Sequence, residues 1–167
     1  PGMATNYLQW LAAQTPTIWW HDSADPQELT QALADGAAGV TTNPVLAART
    51  LSAQPAFWQQ QMGRLPDGLP AAERAQRLLQ GVVTQAAGTV APLYGGRGSR
   101  RGYVCAQVDP GLAADRQAMQ PMARRFHAWA PNIAVKLPVT AAGLDVLEEC
   151  VAEGITVTAT VSFTVPQ

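Results

Sequence analysis

The sequence is short of several things, and each shortage excludes a class. Its 167 residues hold two cysteines, Cys105 and Cys150, too few for a disulfide framework or a cysteine metal site, so a reducing, cytoplasmic compartment is expected. Two histidines, His21 and His127, lack metal-ligand spacing and are expected to be structural. Only 14% of residues are charged, the net charge is -1, and no basic run appears, which excludes the electrostatic footprint of a nucleic-acid binder. No apolar stretch approaches the ~18–20 residues that span a bilayer, and the N-terminus lacks a signal peptide's charged-then-apolar layout. No low-complexity tract and no short repeat is present. Lysine is nearly missing too: of the 11 basic residues, Lys136 alone is not arginine.

Helical and strand-like segments alternate, the pattern of an α/β protein with a parallel sheet. Pro1-Gly2 ahead of Met3 reads as a cloning scar. An amphipathic helix is expected over 3–14 with Tyr7, Leu8 and Leu11 on one face. Further helices are expected over 26–35, behind an Asp25 cap, and from Pro44 onward. Others are expected over 112–129, with a core stripe of Met119, Met122, Phe126 and Trp129, and over 141–153 with Gly154 as the stop. Five strands are expected, at 17–22, 39–43, 103–108, 132–138 and 155–163. Residues 45–100 read as a mostly helical insertion between the second and third, broken at 63–70 and by a basic loop at 88–98.

Ligands of parallel α/β folds bind beyond the carboxyl ends of the strands. There the sequence places Asp22, Asn43, Gln107 with Asp109, Lys136 with Thr140, and Thr158 with Thr160. Lys136 stands between Val135 and Leu137 in an apolar strand. Desolvation there disfavours the charged ammonium and leaves an amine able to form a Schiff base with a carbonyl substrate; the structural alternative is a lysine that snorkels to solvent. Asp22 is the natural proton acceptor beside such an imine, or else a strand-end turn residue. Asn43, ahead of Pro44, either binds substrate hydroxyls or marks a turn, and Thr140 either serves the site or caps the following helix.

Four segments carry a family likeness: His21-Asp22-Ser23, Gly39-Val40-Thr41-Thr42-Asn43-Pro44, Val135 through Thr140 with Gly143, and Gly154 through Thr160 with Phe163 and Gln167. From about residue 17 onward the chain resembles the transaldolase family of class I aldolases. The resemblance implies a (β/α)8 barrel with no metal or organic cofactor. It implies transfer of a dihydroxyacetone unit between sugar phosphates. Lys136 then matches the Schiff-base lysine, Asp22 the acid/base, Asn43 the asparagine that binds the dihydroxyacetone moiety, and Thr160 the threonine that positions a catalytic water. Thr42, Thr140 and Thr158 join Asn43 as substrate-binding candidates.

By the same resemblance, Gln107 stands where most transaldolases carry glutamate and where fructose 6-phosphate aldolases look to have glutamine, and Thr158 stands where a second asparagine is usual. A fructose 6-phosphate-type aldolase and a non-catalytic sugar-phosphate binder are therefore the alternatives. Five strands are fewer than the eight of such a barrel, so the chain is expected to be a truncated, partial barrel domain. Its last strand is then expected to mediate self-association, and the phosphate-binding residues are expected beyond residue 167.

Overall fold

A computed structural model describes residues 6–164; the expected cloning scar at Pro1-Gly2 lies outside them. The helices are α1 (Tyr7–Gln14), α2 (Pro26–Ala34), α3 (Pro44–Ala53), α4 (Pro55–Met62), α5 (Ala71–Val90), α6 (Arg116–His127) and α7 (Ala141–Ala152). The strands are β1 (Val104–Gln107), β2 (Ile133–Pro138) and β3 (Val157–Thr160). They form one parallel sheet in the order β1-β2-β3.

Three strands replace the expected five, and the first two shrink to single paired residues. His21 pairs with Val40 and Val40 with Val104, both parallel, so the chain order of five segments survives without five strands. Backbone hydrogen bonds run from Ala38 N–H to the Trp19 carbonyl and from Thr41 N–H to the His21 carbonyl, and side-chain caps follow beyond them. Four residues after His21 the first segment reaches Asp25, whose carboxylate accepts from Gln27 N at 2.9 Å and Glu28 N at 3.1 Å to start α2. The second runs into Asn43, whose side chain accepts from Leu46 N at 2.9 Å to start α3. Between them Gly39 allows the close approach, since a Cβ there would stand 2.8 Å from the Trp20 ring and 2.9 Å from the Tyr103 carbonyl oxygen. At the other end β3 stops at Thr160 rather than Phe163, because Val161 takes a φ of 62°, outside the strand region and unfavourable for a β-branched residue. The described residues form an open parallel layer, which fits part of a (β/α)8 barrel but does not close one.

Alternation along the strands sorts the side chains onto two faces. Val104, Ala106, Ile133, Val135 and Leu137 point to the helices, where they pack with Val82, Val83, Met119, Phe126 and Val146. The expected stripe is real: Met119 and Phe126 are buried, Trp129 stacks on Phe126, and Met122 packs against the same core. Arg116 and Arg124 of α6 pair with Glu149 of α7 and with Glu153 just after it. The other sheet face carries a smaller cluster of Tyr103, Cys105 and Ala134, with Trp20 and Tyr94 against it.

The N-terminal helix departs from its expected amphipathic role. No residue of α1 is buried, and Tyr7 is 69% and Trp10 47% exposed. Polar contacts hold it instead: Asp35, at the end of α2, accepts from Asn6 at 2.7 Å, from Gln9 at 3.0 Å and from Gln31 at 3.2 Å. Helix α6 also starts later than expected, at Arg116, because Asp109 caps a separate 3-10 turn at Pro110–Leu112 and Asp115 caps the helix itself.

Candidate active site

Register places the candidate residues in rows across the sheet. Gln107 pairs with Lys136 and Lys136 with Thr158, so the three stand side by side on the face away from the main helical core. Thr160 shares that face one step further toward the carboxyl ends and pairs with Pro138. The same alternation carries through the paired residues His21, Val40 and Val104: Asp22, Thr41 and Asn43 fall on the Lys136 side. Beneath this row lies Cys105, fully buried, its sulfur 3.5 Å from the Thr158 hydroxyl. Burial pushes the Cys105 thiol up, while Thr158 and the Lys136 charge oppose the rise and the Asp22 charge adds to it. One buried sulfur thus lies within electrostatic reach of both the lysine and the carboxylate.

Lys136 is half-buried between buried Val135 and Leu137. Asp22 is exposed, and the Thr41 hydroxyl donates to its Oδ1 at 2.6 Å. Asn43, Gln107, Thr158 and Thr160 are each half-buried at the same end of the sheet. A cleft of about 260 Å³ opens beside Gln107, Pro138, Thr140 and Thr160 and is walled largely by apolar side chains such as Val139. A more open cleft of about 350 Å³, lined by Pro16, Ile18, Trp20 and Arg100, lies toward the amino ends of the strands, away from the Lys136 row.

Three candidates take structural parts, Asn43 among them as the cap of α3. Thr42 is fully buried and donates its hydroxyl to the Cys105 carbonyl at 2.6 Å, pinning the second segment to β1. Thr140 caps α7 by accepting from Gly143 N at 3.0 Å and donates to the Ala113 carbonyl at 2.5 Å. Asp109 accepts from Gly111 N at 2.8 Å within its turn. Thr41 is the residue the sequence reading passed over. Period-two alternation groups Thr41, not Thr42, with Asn43, but which face that is follows only from the pairing of Val40 with His21 and Val104. Among the described residues no group of three or more His, Cys, Asp or Glu is arranged to hold a metal ion. No described helix is long and apolar enough to cross a membrane.

A parallel α/β layer thus presents a lysine, a carboxylate and side-chain amides from successive segments at one end of its sheet. Residues 19–167 match the family model described as Transaldolase/Fructose-6-phosphate aldolase. The chain belongs to that family. It is 30% identical over 164 residues to Transaldolase 1 of Streptomyces avermitilis, covering 93% of this chain and 43% of that protein. It is 29% identical over 170 residues to Transaldolase 2 of a Nostoc species, covering 98% and 45%. Over 138 residues it is 31% identical to a transaldolase of Neisseria gonorrhoeae, covering 81% and 39%. The chain therefore spans less than half the length of these relatives.

Proposed function

We propose that this chain carries the Schiff-base half of a transaldolase-like enzyme, moving a dihydroxyacetone unit between sugar phosphates. The observation that carries the reading is the row Gln107–Lys136–Thr158, set in register with the chain's single lysine at its centre and Asp22 on the same face.

In the proposed cycle the Lys136 amine adds to the ketose carbonyl and water leaves to give the imine. Asp22 takes the proton from the hydroxyl on the carbon beyond the breaking bond. As that carbon–carbon bond breaks, its electron pair moves into the imine to form an enamine, and an aldose phosphate departs. The enamine then attacks the acceptor aldehyde, Asp22 returns its proton to the new hydroxyl, and water hydrolyses the imine to free Lys136. Asn43 and Thr158 hydrogen-bond the dihydroxyacetone hydroxyls, while Gln107 and Thr160 hold the water. Thr42 and Thr140 contribute by fixing the backbone, since their hydroxyls are already engaged.

Product analysis with fructose 6-phosphate, with and without an aldose phosphate acceptor, tests the reading: a new ketose phosphate appears only with acceptor. Absence of any product in both reactions contradicts it. A second reading, simple aldol cleavage, rests on Gln107 itself, because an amide beside Lys136 holds water but accepts no net proton. Gln107→Glu then shifts the product ratio toward transfer; an unchanged ratio removes that reading.

A further inference from the structure

The Asp22 carboxylate is exposed, and an exposed aspartate ordinarily exchanges among rotamers. A proton acceptor for bond cleavage must instead be held in one geometry. Thr41 supplies the restraint. Its backbone N–H donates to the His21 carbonyl at 2.8 Å, and His21 N–H donates to the Gly39 carbonyl at 2.9 Å, so the parallel bridge fixes Thr41 next to Asp22. The Thr41 hydroxyl then donates to Asp22 Oδ1 at 2.6 Å, the short length of a hydrogen bond to a charged acceptor. Oδ2 accepts no hydrogen bond among the described residues and is the oxygen left to receive a proton. A β-branched side chain suits this task, because χ1 of threonine is stiff and the hydroxyl stays where the backbone aims it. Its neighbour cannot substitute, since the Thr42 hydroxyl is buried against Cys105.

We propose that Thr41 is a positioning residue for Asp22, locking the carboxylate in one rotamer on the Lys136 side of the sheet. The catalytic part of this inference rests on the Schiff-base reading above; the rotamer part does not. The test compares the parent chain with Thr41→Ser, Thr41→Val and, should valine disturb the bridge, Thr41→Ala. Three-bond couplings of Asp22 in solution show one χ1 rotamer in the parent and in Thr41→Ser, and averaged values in the variants without a hydroxyl. In turnover assays with fructose 6-phosphate the hydroxyl-less variants lose about a hundredfold in kcat, the scale of a misplaced proton acceptor. KM and borohydride trapping of dihydroxyacetone on Lys136 stay unchanged, and serine restores kcat. Averaged couplings in the parent, or a single Asp22 rotamer in Thr41→Val, overturn the proposal. An equal fall in trapping and turnover also overturns it, since Thr41 would then support the site as a whole. A parent chain that traps no ketose defeats the Schiff-base reading instead, and the couplings still decide the role of Thr41.

Discussion

Two helical glycines should respond to alanine with opposite signs. In a helix interior Gly→Ala ordinarily stabilises by about 1 kcal/mol, through backbone entropy and helix propensity. Gly88, in α5, meets that expectation: it is exposed, and a Cβ there would find nothing within 4 Å. Gly143, at the third position of α7, does not. A Cβ at 143 would overlap the Pro138 carbonyl oxygen and lie 3.0 Å from the Thr140 hydroxyl oxygen. Both neighbours are backbone-held: Pro138 ends β2 in register with Thr160, and Thr140 caps α7 through Gly143 N. Relief requires α7 to move off the end of β2. Overpacking of this kind costs about 1–3 kcal/mol. A disrupted cap adds about 1 kcal/mol. Against the propensity gain, Gly143→Ala should lose about 2 kcal/mol net, a fall in Tm of about 4–8 °C for a chain of this size. Urea unfolding of the two variants beside the parent chain measures both signs. Equal or greater stability in Gly143→Ala would refute the close-approach argument. Gly88→Ala guards against a general intolerance of alanine.

Three further outcomes follow from charge and burial. Hydrogen bonds from Gln31, Asn6 and Gln9 hold the Asp35 carboxyl below its ordinary value of 3.8, so its contribution is present above that pH and lost as the pH falls below it. Protection of α1 amides from hydrogen exchange, relative to their intrinsic rates, should therefore fall below about pH 4 before that of β2 amides, and Asp35→Asn should loosen α1 at neutral pH; parallel loss of both elements would contradict the clamp. Burial pushes both the Cys105 and the Cys150 thiol up, so neither should react with Ellman's reagent in the native chain at pH 8, while both react in guanidinium. Glu153, held low by its hydrogen bond from Arg124, should similarly lose its part in the α6–α7 contact as the pH falls through the acid range, visible as a shrinking stability difference between the parent and Arg124→Ala.

Much of the fold around the candidate site is legible in the sequence because it rests on local patterns. Asp25-Pro26 announced α2, the lone lysine in an apolar strand marked β2, and Asn43-Pro44 located the start of α3. What escaped depended on partners distant in sequence. The choice between Thr41 and Thr42 turns on the pairing of Val40 with His21 and Val104, which no local window contains. Likewise α1 looked amphipathic because Tyr7, Leu8 and Leu11 share a face. Its anchorage comes from Asp35, some thirty residues along the chain, and is polar. The fifth strand is shorter than its β-branched run suggests, because left-handed Val161 ends it after Thr160.

The proposed chemistry turns on one amine. Because Lys136 is the only lysine, a reduced substrate adduct on a side-chain amine has one possible address. Incubation with dihydroxyacetone and borohydride, followed by peptide mass mapping, should place an adduct on the Lys136 peptide that is absent without borohydride and absent in Lys136→Arg. An unmodified Lys136 peptide across a panel of ketoses, or an adduct confined to the N-terminal amine, would contradict the Schiff-base assignment.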